Sequence, residues 1–478
     1  MKNRVYLKCI AVAIVVLSVG GCKLFKQPMK KENKNTPSAY NDSSSQDSTN
    51  TADIQWRNYF SDPNLIALID TALKNNQELN ITMQEIASAQ MDVKAKKGAY
   101  LPFIGIGANV GVDKSGYNTR DGAVDDYMKS QGSLKNVNAT GNFMIGPMLS
   151  WELDIWKKLR NAKKAAAYRY LGTIEGKNFM VTKLVSEIAS AYYELEGLDN
   201  QLQIIQQNIE IQQSVLGIIK QQKDAAKVSQ LAVNRFEAQL LNTQNRQYQI
   251  QQEIVVTENR INFLTGRFPQ PIARNSATFN TVAFSSVFAG IPSQLLQNRP
   301  DIRQAEQQLA AAKLDVKVAK AEFFPSIHLS AAVGFQAINP AVWFNPASLL
   351  YGVFGDIFAP LINRNAIVAG YNISRAKQYQ AVYNYEKTIL NAFLEVQNQL
   401  SAVDKYSKSF DTKTKEVEIL NQSITISNSL FRNARADYME VLLTQREALE
   451  QKMQLVEIRT TQLQSEINIY KALGGGWK

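Results

Sequence analysis

The chain of 478 residues is poor in the residue types that form catalytic and metal centres. It contains two cysteines and one histidine, His328, which lies in a segment that we predict to be a strand. A single histidine supports neither the usual ligand spacing of a zinc site nor a serine–histidine–aspartate set. The glycines at 474–476 follow a helical stretch and lack the Lys-Ser/Thr of a phosphate-binding loop. We therefore expect no enzyme activity, no catalytic residue, no metal site and no cofactor.

Residues 1–21 have the layout of a bacterial lipoprotein signal peptide. Three basic residues precede an apolar stretch of ten residues, which is too short to span a bilayer as a helix. Small residues then lead directly to Cys22, so the segment resembles a lipobox in which Cys22 is lipidated and becomes the first mature residue. The residue that follows is Lys23, not the aspartate that would retain a lipoprotein in the inner membrane. The alternative is an ordinary secretory signal in which Cys22 has no role.

The composition is basic, with a formal net charge of +11. The lysines and arginines look scattered along the chain, which favours a solvated surface over a binding patch. Because the chain is exported, we predict no nucleic-acid partner. No segment after the signal holds 18 consecutive apolar residues, so no membrane-spanning helix is predicted.

The rest of the chain divides into a linker and two repeats. Residues 22–55, rich in Lys, Asn, Ser and Thr, are predicted to be a flexible, lipid-anchored linker. The first repeat covers 56–265, a connector with three prolines covers 266–299, and the second repeat covers 300–478. Each repeat is predicted to contain a helix, two strands, a long helix and a shorter helix.

The helices are predicted from capping residues and from heptad spacing. The first helix begins after the N-cap Asp62 and runs without a break to about Lys97. The first long helix, about 160–226, has two apolar seams over six heptads, and only the second is interrupted, at Gln212. One seam consists of Val181, Ile188, Leu195, Leu202, Ile209 and Leu216, and the other consists of Leu184, Ala191, Leu198, Ile205 and Ile219. The second repeat has an apolar seam at the same spacing from Ile389 to Phe431, which predicts its long helix. A helix of roughly 67 residues is about 100 Å long and suits a structure that crosses a wide aqueous gap.

Four segments switch to alternating hydrophobicity and are predicted strands: 100–112, 140–153, 325–337 and 348–362. Each alone also fits a half-buried strand of a soluble sheet, but segments of about ten residues are typical of transmembrane β-strands. Aromatic residues flank them as an interfacial girdle would: Trp151, Trp156, Trp343, Phe344 and Tyr351. Four strands cannot close a conducting barrel, since the smallest bacterial barrels have about eight. Membrane strands here would therefore require an oligomer.

The two repeats can be aligned with each other. Residues 91–94 resemble 314–317 at an offset of 223, and residues 190–194 resemble 391–395 at an offset of 201. The difference of 22 falls between the strands of a pair. The first hairpin loop, about 113–140, is therefore predicted to be exposed and about 22 residues longer than the second.

Several motifs carry a family resemblance: Trp151-Glu152-Leu153-Asp154-Ile155-Trp156, Arg299-Pro300-Asp301-Ile302-Arg303, Phe323-Phe324-Pro325-Ser326-Ile327 and Ala472-Leu473-Gly474-Gly475-Gly476-Trp477. In order and spacing they resemble the outer-membrane factor family, the TolC-like channels, over about 53–478. The similarity is to the lipoprotein branch that serves resistance-nodulation-division efflux pumps.

The resemblance implies a mainly α-helical homotrimer with membrane β-structure. An α-helical periplasmic barrel would continue into a 12-stranded outer-membrane β-barrel with four strands per chain. It also implies a passive exit duct for small molecules such as drugs, working with a periplasmic adaptor and an inner-membrane pump. The alternatives are the exit duct of a type I protein secretion system and a surface-anchored coiled-coil spacer or adhesin. A spacer would account for the heptads but not for the paired strands.

In such channels the helix–turn–helix tips close the periplasmic end and contact the adaptor. The corresponding residues here are Ala226, Lys227, Val228, Ala434, Arg435 and Tyr438. The family usually has glycine at the turn, so the alanines put the tip conformation in question. Asp437 and Glu440 lie one turn apart and are gate candidates, since three-fold symmetry would make each a ring of carboxylates. The alternative is an acidic helix start, which the helix dipole favours anyway.

Overall fold

The computed structural model describes residues 28–40, 49–131, 139–282, 284, 288–433 and 435–478. The predicted signal peptide and Cys22 lie outside these residues. The chain divides into two compact units, and each is built from separate stretches of sequence. One unit contains 87–170 and 307–383 together with residues up to 31, and the other contains 32–86, 171–306 and 384–478.

The described residues are mostly helical. The α-helices are α1 Trp56–Tyr59, α2 Pro63–Asn75, α3 Gln77–Tyr100, α4 Arg120–Ser130, α5 Lys158–Asp224, α6 Gln230–Leu264, α7 Leu295–Asn298, α8 Pro300–Ala321, α9 Asn365–Arg432 and α10 Tyr438–Ala472. Short 3-10 turns lie at Thr51–Asp53, Ser276–Thr278, Pro292–Gln294, Pro340–Val342 and Pro346–Ser348. Among these described helices, none combines the length and the apolar character that crossing a membrane requires.

The predicted first helix is two helices, α2 and α3, because the chain turns at Asn76. Asp62 caps α2 as expected and accepts the N–H of Asn64 over 2.7 Å. The backbone of Asn76 is extended, its Oδ1 accepts the N–H of Leu79, and its Nδ2 donates to Leu264 O, both over 2.9 Å. The prediction of an unbroken helix was wrong because a side chain that caps a new helix ends the old one.

The two long helices, α5 with 67 residues and α9 with 68, occupy the predicted heptad tracts. Predicted seam residues of α5 lie in the apolar core, among them Ile188, Leu195 and Ile205, which are fully buried. The polar interruption at Gln212 is also buried, and its Nε2 donates to Asn208 Oδ1 over 2.6 Å. The seam thus continues through a polar position whose amide nitrogen is paired on its own helix, while Oε1 has no partner among the described residues.

The strands form one antiparallel sheet in the order β1-β2-β3-β4. They are β1 Phe103–Asp113, β2 Thr140–Glu152, β3 Ser326–Ala337 and β4 Leu349–Phe358. The register pairs Ile104 with Leu149, Leu149 with Ala331, and Ala331 with Val353. All four lie where alternation predicted them, and β4 is shorter because it stops two residues before Pro360, which cannot donate to a ladder.

In the long helices, the offset between corresponding residues of the two repeats is larger than the predicted 201 residues. Helices α5 and α9 start at 158 and 365, an offset of 207, and α6 and α10 start at 230 and 438, an offset of 208. The predicted offset was too small by about one heptad, because a seven-residue pattern aligns almost as well when it is shifted by seven residues. The β1–β2 loop has 26 residues and the β3–β4 loop has 11, so the first is 15 residues longer, not about 22. This first loop contains α4.

Residues 28–40 do not form the flexible linker that composition predicted. Within one unit, Lys30 O accepts a hydrogen bond from Gln378 Nε2 of α9 over 2.8 Å. Within the other, Tyr40 is buried and its ring stacks on Phe393 with centroids 5.4 Å apart. A ring that can bury itself against a helix helps to offset the entropy of ordering this segment.

Candidate functional sites on the sheet and at the helix tips

One face of the sheet is apolar from edge to edge. Because alternate residues of a strand point to opposite faces, the register brings the following residues together: Ile104, Ile106, Ala108, Val110, Val112, Phe143, Ile145, Pro147, Leu149, Trp151, Ile327, Leu329, Ala331, Val333, Phe335, Leu349, Tyr351, Val353 and Ile357. In the single chain Ile106 is 81% exposed and Tyr351 is 83% exposed. An exposed apolar surface of this extent is what a sheet presents to lipid.

The opposite face carries mostly small and polar residues, among them Asn109, Asn142, Ser150, Ser330 and Gln336. It also carries three ionisable side chains in a row, since Glu152 pairs in register with His328, and His328 with Asp356. Glu152 forms an ion pair with Lys158 at the start of α5, with Oε1 and Nζ 2.5 Å apart. The single histidine therefore lies in a strand as predicted, on the face that suits water.

Both outer strands have an edge that pairs with no other strand in the described part of the chain. β1 offers 11 residues along this edge and β4 offers 10. An open edge exposes backbone N–H and C=O groups, which cannot remain without partners in an apolar medium. The sheet therefore needs strands from other chains at both edges if its apolar face is in lipid.

Aromatic residues lie at both ends of the sheet. At the end next to the helices, Trp151 donates its Nε1–H to a backbone carbonyl over 3.1 Å, and Trp156 stacks on Phe324 with centroids 4.8 Å apart. At the loop end, Trp343 stacks on Phe344 with centroids 5.5 Å apart. Two aromatic levels flanking an apolar band are the pattern of the two membrane–water interfaces.

The first helix–turn–helix tip, between α5 and α6, ends α5 in a Schellman motif. Ala226 has a φ of +57°, in the left-handed region. Its N–H donates to Lys223 O, and the N–H of Lys227 donates to Gln222 O, both over 2.9 Å. The turn thus adopts the conformation that glycine favours, although the residue is alanine.

Replacing Ala226 by glycine is expected to stabilise the first tip. Left-handed alanine costs about 1 kcal/mol, and glycine avoids this cost while gaining some freedom in the unfolded chain. Amide hydrogen exchange over residues 222–229 should therefore slow in Ala226→Gly. The matched control is Ala225→Gly, whose φ is not positive, and exchange should quicken there. Faster exchange in Ala226→Gly would contradict the assigned turn.

At the second tip, between α9 and α10, the N–H of Arg435 donates to Leu430 O, five residues earlier, over 2.9 Å. The bond from Lys227 to Gln222 at the first tip spans the same number of residues. Ala434, a predicted adaptor contact, lies outside the described residues. Asp437 is the N-cap of α10 and Glu440 stands in its first turn, and both side chains are exposed. This placement is compatible with a ring of carboxylates and with a simple acidic helix start.

Two of the predicted contact residues pack against their own chain. Val228 and Tyr438 are partly buried against the apolar cluster of α5, α6 and α10, which contains Phe236. Lys227 and Arg435 are exposed. Ala226, a third predicted contact residue, is exposed as well.

Two motifs of the second repeat meet around Arg299, a contact that spacing did not predict. The guanidinium is buried, and its Nη1 donates to Glu395 Oε2 and to Ala472 O, both over 2.7 Å. Nε and Nη2 donate to the two carboxylate oxygens of Asp301 over 3.0 and 2.8 Å. One side chain thus joins the start of α8, the middle of α9 and the end of α10.

The glycines after α10 are required by the backbone that surrounds them. Gly474 has a φ of +94°, and a Cβ at this position would lie 2.6 Å from Asn298 O. Trp477 then donates its Nε1–H to Gly474 O over 2.9 Å and to Asn298 O over 3.3 Å. The segment that follows α10 therefore also contacts Asn298, the residue before Arg299.

A buried carboxyl group in α5 was not predicted either. Glu196 is fully buried, and neither carboxylate oxygen accepts a hydrogen bond of ordinary geometry from the described residues. Burial, and then the negative charge of Asp62, raise the pKa of Glu196 to about 7. Tyr192, one turn earlier, donates its hydroxyl to Asp62 Oδ2 over 2.8 Å.

The raised pKa of Glu196 predicts a stability that falls with rising pH. Because the folded protein binds this proton more tightly than the unfolded chain, its contribution is complete below about pH 4.5 and is lost as the pH rises through 7. Glu196→Gln should therefore raise the free energy of unfolding at pH 8 by up to about 3 kcal/mol, seen as a higher thermal transition, and leave it unchanged at pH 4. Glu210→Gln, an exposed position on the same helix, is the control. An identical pH profile in both variants would contradict the assignment.

The sequence and the fold match those of outer-membrane channels. The solvent efflux pump outer membrane protein SrpC of Pseudomonas putida is 28% identical over 468 residues, 97% of each chain. The cation efflux system protein CusC of Escherichia coli (strain K12) is 27% identical over 425 residues, 88% of each chain. The open state of the MtrE outer membrane channel of Neisseria gonorrhoeae superposes with a TM-score of 0.83 at 21% identity, covering 95% of this chain and 98% of that one.

A solved structure of CusC gives a TM-score of 0.80 at 24% identity over 94% of this chain and all of that one. These likenesses confirm the predicted mainly helical fold with its four-stranded sheet. Residues 68–267 and 291–475 match the family described as outer membrane efflux protein. Because this match covers most of the chain, the predicted location in the outer membrane and the predicted role in efflux are confirmed, and the chain belongs to the outer membrane efflux protein family.

Proposed function

We propose that three copies of this efflux channel form one passive duct that carries small molecules from the periplasm across the outer membrane. The observation that carries the proposal is a four-stranded sheet with two open edges and one apolar face. Three such sheets joined edge to edge make a closed 12-stranded barrel, with the apolar faces toward lipid and the polar faces toward water. A barrel wider than about eight strands has room for a lumen.

Exposed apolar residues at heptad spacing support the same assembly in the helices. On α6, Leu241, Tyr248 and Val255 recur every seven residues and remain exposed in the single chain. On α9, Ile419 and Ile426 are also seven residues apart and exposed. Apolar seams of this period pack against other helices, and we assign these two to contacts between copies.

The proposed pump has two further components, a periplasmic adaptor and an inner-membrane pump of the resistance-nodulation-division type. Among the relatives, SrpC is named for a solvent efflux pump and CusC for a cation efflux system, at 28% and 27% identity. Relatives that are equally similar but differ in cargo support a duct whose cargo is selected elsewhere in the pump. Lys227 and Arg435 are the proposed contacts with the adaptor.

The proposed gate consists of Asp437 and Glu440, which become two rings of carboxylates in a trimer. Glu440→Gln is expected to lower the preference of the channel for cations, because it removes three negative charges from the entrance. The reversal potential in asymmetric salt measures this change. Glu447→Gln, exposed on the same helix two turns later, is the control. Equal reversal potentials in the two variants would remove Glu440 from the gate.

The proposed lipid attachment at Cys22 is supported by the path of the first described residues. Tyr379 OH donates to Pro28 O over 3.3 Å, so Pro28 lies beside a residue 14 positions into α9. Fourteen helical residues rise about 21 Å, and the six residues back to Cys22 span at most about 20 Å. An acyl chain on Cys22 can therefore reach the level of the strand ends. Fatty-acid labelling that persists in Cys22→Ala would contradict the attachment.

Disulfide trapping between strand edges tests the proposed trimer. Cysteine replaces Val110 on β1, and a second cysteine replaces Leu349, Tyr351 or Val353 on β4, so that different registers between copies are sampled. At least one pair should oxidise to covalent dimers and trimers, because paired strands bring Cα atoms within disulfide range. Control pairs place the second cysteine at Ala331 or Val333 of β3, an inner strand. No multimers with any edge pair, as a monomeric spacer would give, would contradict the trimeric duct.

A further inference from the structure

The formal charge of the chain is concentrated next to the sheet, although the basic residues look scattered along the sequence. Four segments that adjoin the strands, which we call the basic belt, are 92–100, 154–170, 313–324 and 363–377. They contain 15 Lys and Arg but 4 Asp and Glu, which accounts for the whole formal net charge of +11. The rest of the chain has 38 basic and 38 acidic residues. The prediction that the charge is scattered along the chain was therefore wrong.

The basic belt lies within one compact unit and close to the strands. Its charged residues fall within about 18 Å of a helix end that adjoins a strand, at a rise of 1.5 Å per residue. All four helices that connect to the sheet contribute to it. Its exposed lysines include Lys94, Lys96, Lys97, Lys164, Lys317 and Lys377.

Two acidic residues of the basic belt are engaged inside the protein. Asp154 Oδ2 accepts from Arg160 Nε over 3.0 Å, and its two carboxylate oxygens also accept the N–H groups of Leu159 and Arg160 over 2.9 Å. Asp315 forms an ion pair with Arg169. These carboxylates are turned toward partners in the fold, so the exposed lysines keep an excess of positive charge toward the surroundings.

Two further features beside the basic belt are typical of a membrane surface. Trp156 stacks on Phe324 at the same end of the sheet, and such rings prefer a membrane–water interface. The first described residues add Lys30 and Lys31 in this unit, with Lys30 Nζ 3.5 Å from the ring centroid of Tyr383. Positive charge beside aromatic residues and an apolar sheet face fits a membrane surface with anionic headgroups.

We infer that the basic belt binds the phosphodiester headgroups of anionic phospholipids in the leaflet that faces the periplasm. The inference rests on the proposed function, since the belt meets this leaflet only if the apolar face of the sheet is in the membrane. Lysine can place its ammonium group at a headgroup while its apolar stem lies along the protein surface. Because four helices carry these charges at similar distances from the strands, the contact fixes the depth at which the channel sits.

The test compares two four-site variants of the full-length channel. The belt variant replaces with glutamine Lys96, Lys97, Lys164 and Lys317. The control variant replaces with glutamine Lys74, Lys220, Lys387 and Lys415. All eight lysines are exposed, and the control lysines lie outside the basic belt. Each purified channel is equilibrated in detergent with equal amounts of phosphatidylglycerol and phosphatidylcholine, and native mass spectrometry measures the lipid that stays bound.

The wild type and the control variant should retain phosphatidylglycerol preferentially, by roughly a factor of five for each lysine that touches a headgroup. Added salt should reduce this preference. The belt variant should retain the two lipids almost equally. Equal retention of phosphatidylglycerol by the belt and control variants would overturn the inference. A belt variant with normal lipid retention and a reversal potential shifted toward cations would also overturn it, because the charges would then line the duct.

Conductance of the same samples separates this inference from the proposed function. A conducting wild type whose lipid retention does not depend on the basic belt contradicts the inference and leaves the duct standing. A wild type that retains anionic lipid through the belt but does not conduct contradicts the duct and leaves the lipid contact standing.

Discussion

Replacement of Arg299 by methionine is expected to abolish accumulation of the folded channel in the outer membrane. The guanidinium is the shared donor for two carboxylates and for the carbonyl of Ala472, in a site where its own side chain is 7% exposed. Removing one partner of a buried ion pair costs about 3–5 kcal/mol, and the two carboxylates left without it are only partly exposed, at 19% and 35%. That loss is a large part of the stability of an ordinary domain. The measurement is the amount of heat-resistant protein in the outer-membrane fraction.

Arg57→Met is the matched control for this prediction. Arg57 also forms an ion pair, with Asp70, but its side chain is 53% exposed. A pair this exposed contributes about 1 kcal/mol or less, so Arg57→Met should accumulate normally. Equal loss of protein in both variants would show that burial of the ion pair does not determine the effect. Normal accumulation of Arg299→Met would contradict the account of how the two motifs meet.

Arginine at Val353 is expected to prevent trimer assembly, whereas arginine at Phe354 is not. The two positions are neighbours in the middle of β4 and point to opposite faces, and their exposures in the single chain are similar, 70% and 66%. Arginine on a lipid face near the centre of the membrane costs about 2–4 kcal/mol per chain. In a trimer this cost occurs three times. Heat-resistant trimer on gels is the measurement for Val353→Arg.

Phe354→Arg serves as the control and carries a prediction of its own. On the polar face the new guanidinium would meet water in the lumen, so the trimer should form and its ion preference should shift toward anions. Assembly of Val353→Arg together with failure of Phe354→Arg would show that the faces of the sheet are assigned the wrong way round.

The elements of this fold could be predicted from the sequence where a strict period was present. Heptads predicted α5 and α9 because a seven-residue apolar seam has few other structural solutions. Alternation predicted all four strands, and with them the apolar face that contains Ile104 and Val353. The tip at Ala226 was placed correctly too, because apolar periodicity stops there and resumes in α6.

Contacts between distant residues could not be predicted in the same way. At Asn76 the local cap on Leu79 is joined by a bond to Leu264 O, nearly 190 positions away, and this distant contact cannot be seen in the sequence. The Arg299 site likewise needs Glu395 and Ala472, which meet only in the folded chain. The offset between the repeats was missed for a different reason, since a heptad pattern cannot tell one register from the next.

The basic belt could not be predicted, because positions along the sequence do not show which charges the fold brings together. Its 15 cations are spread over four segments that lie as much as 285 positions apart, from Asp92 to Lys377. Only the sheet order brings the four helix ends to one level. The scattered positions therefore favoured a solvated surface, whereas the fold gathers the excess beside the apolar face.

Single-channel recording of the purified protein tests the central claim most directly. The account predicts that a heat-resistant species with the mass of three chains inserts into planar bilayers and gives discrete, reproducible conductance steps. The same preparation dissociated to single chains by heating should give none, because one four-stranded sheet cannot enclose a lumen. A protein that is monomeric in detergent, and that leaves bilayers without conductance steps, would contradict the duct.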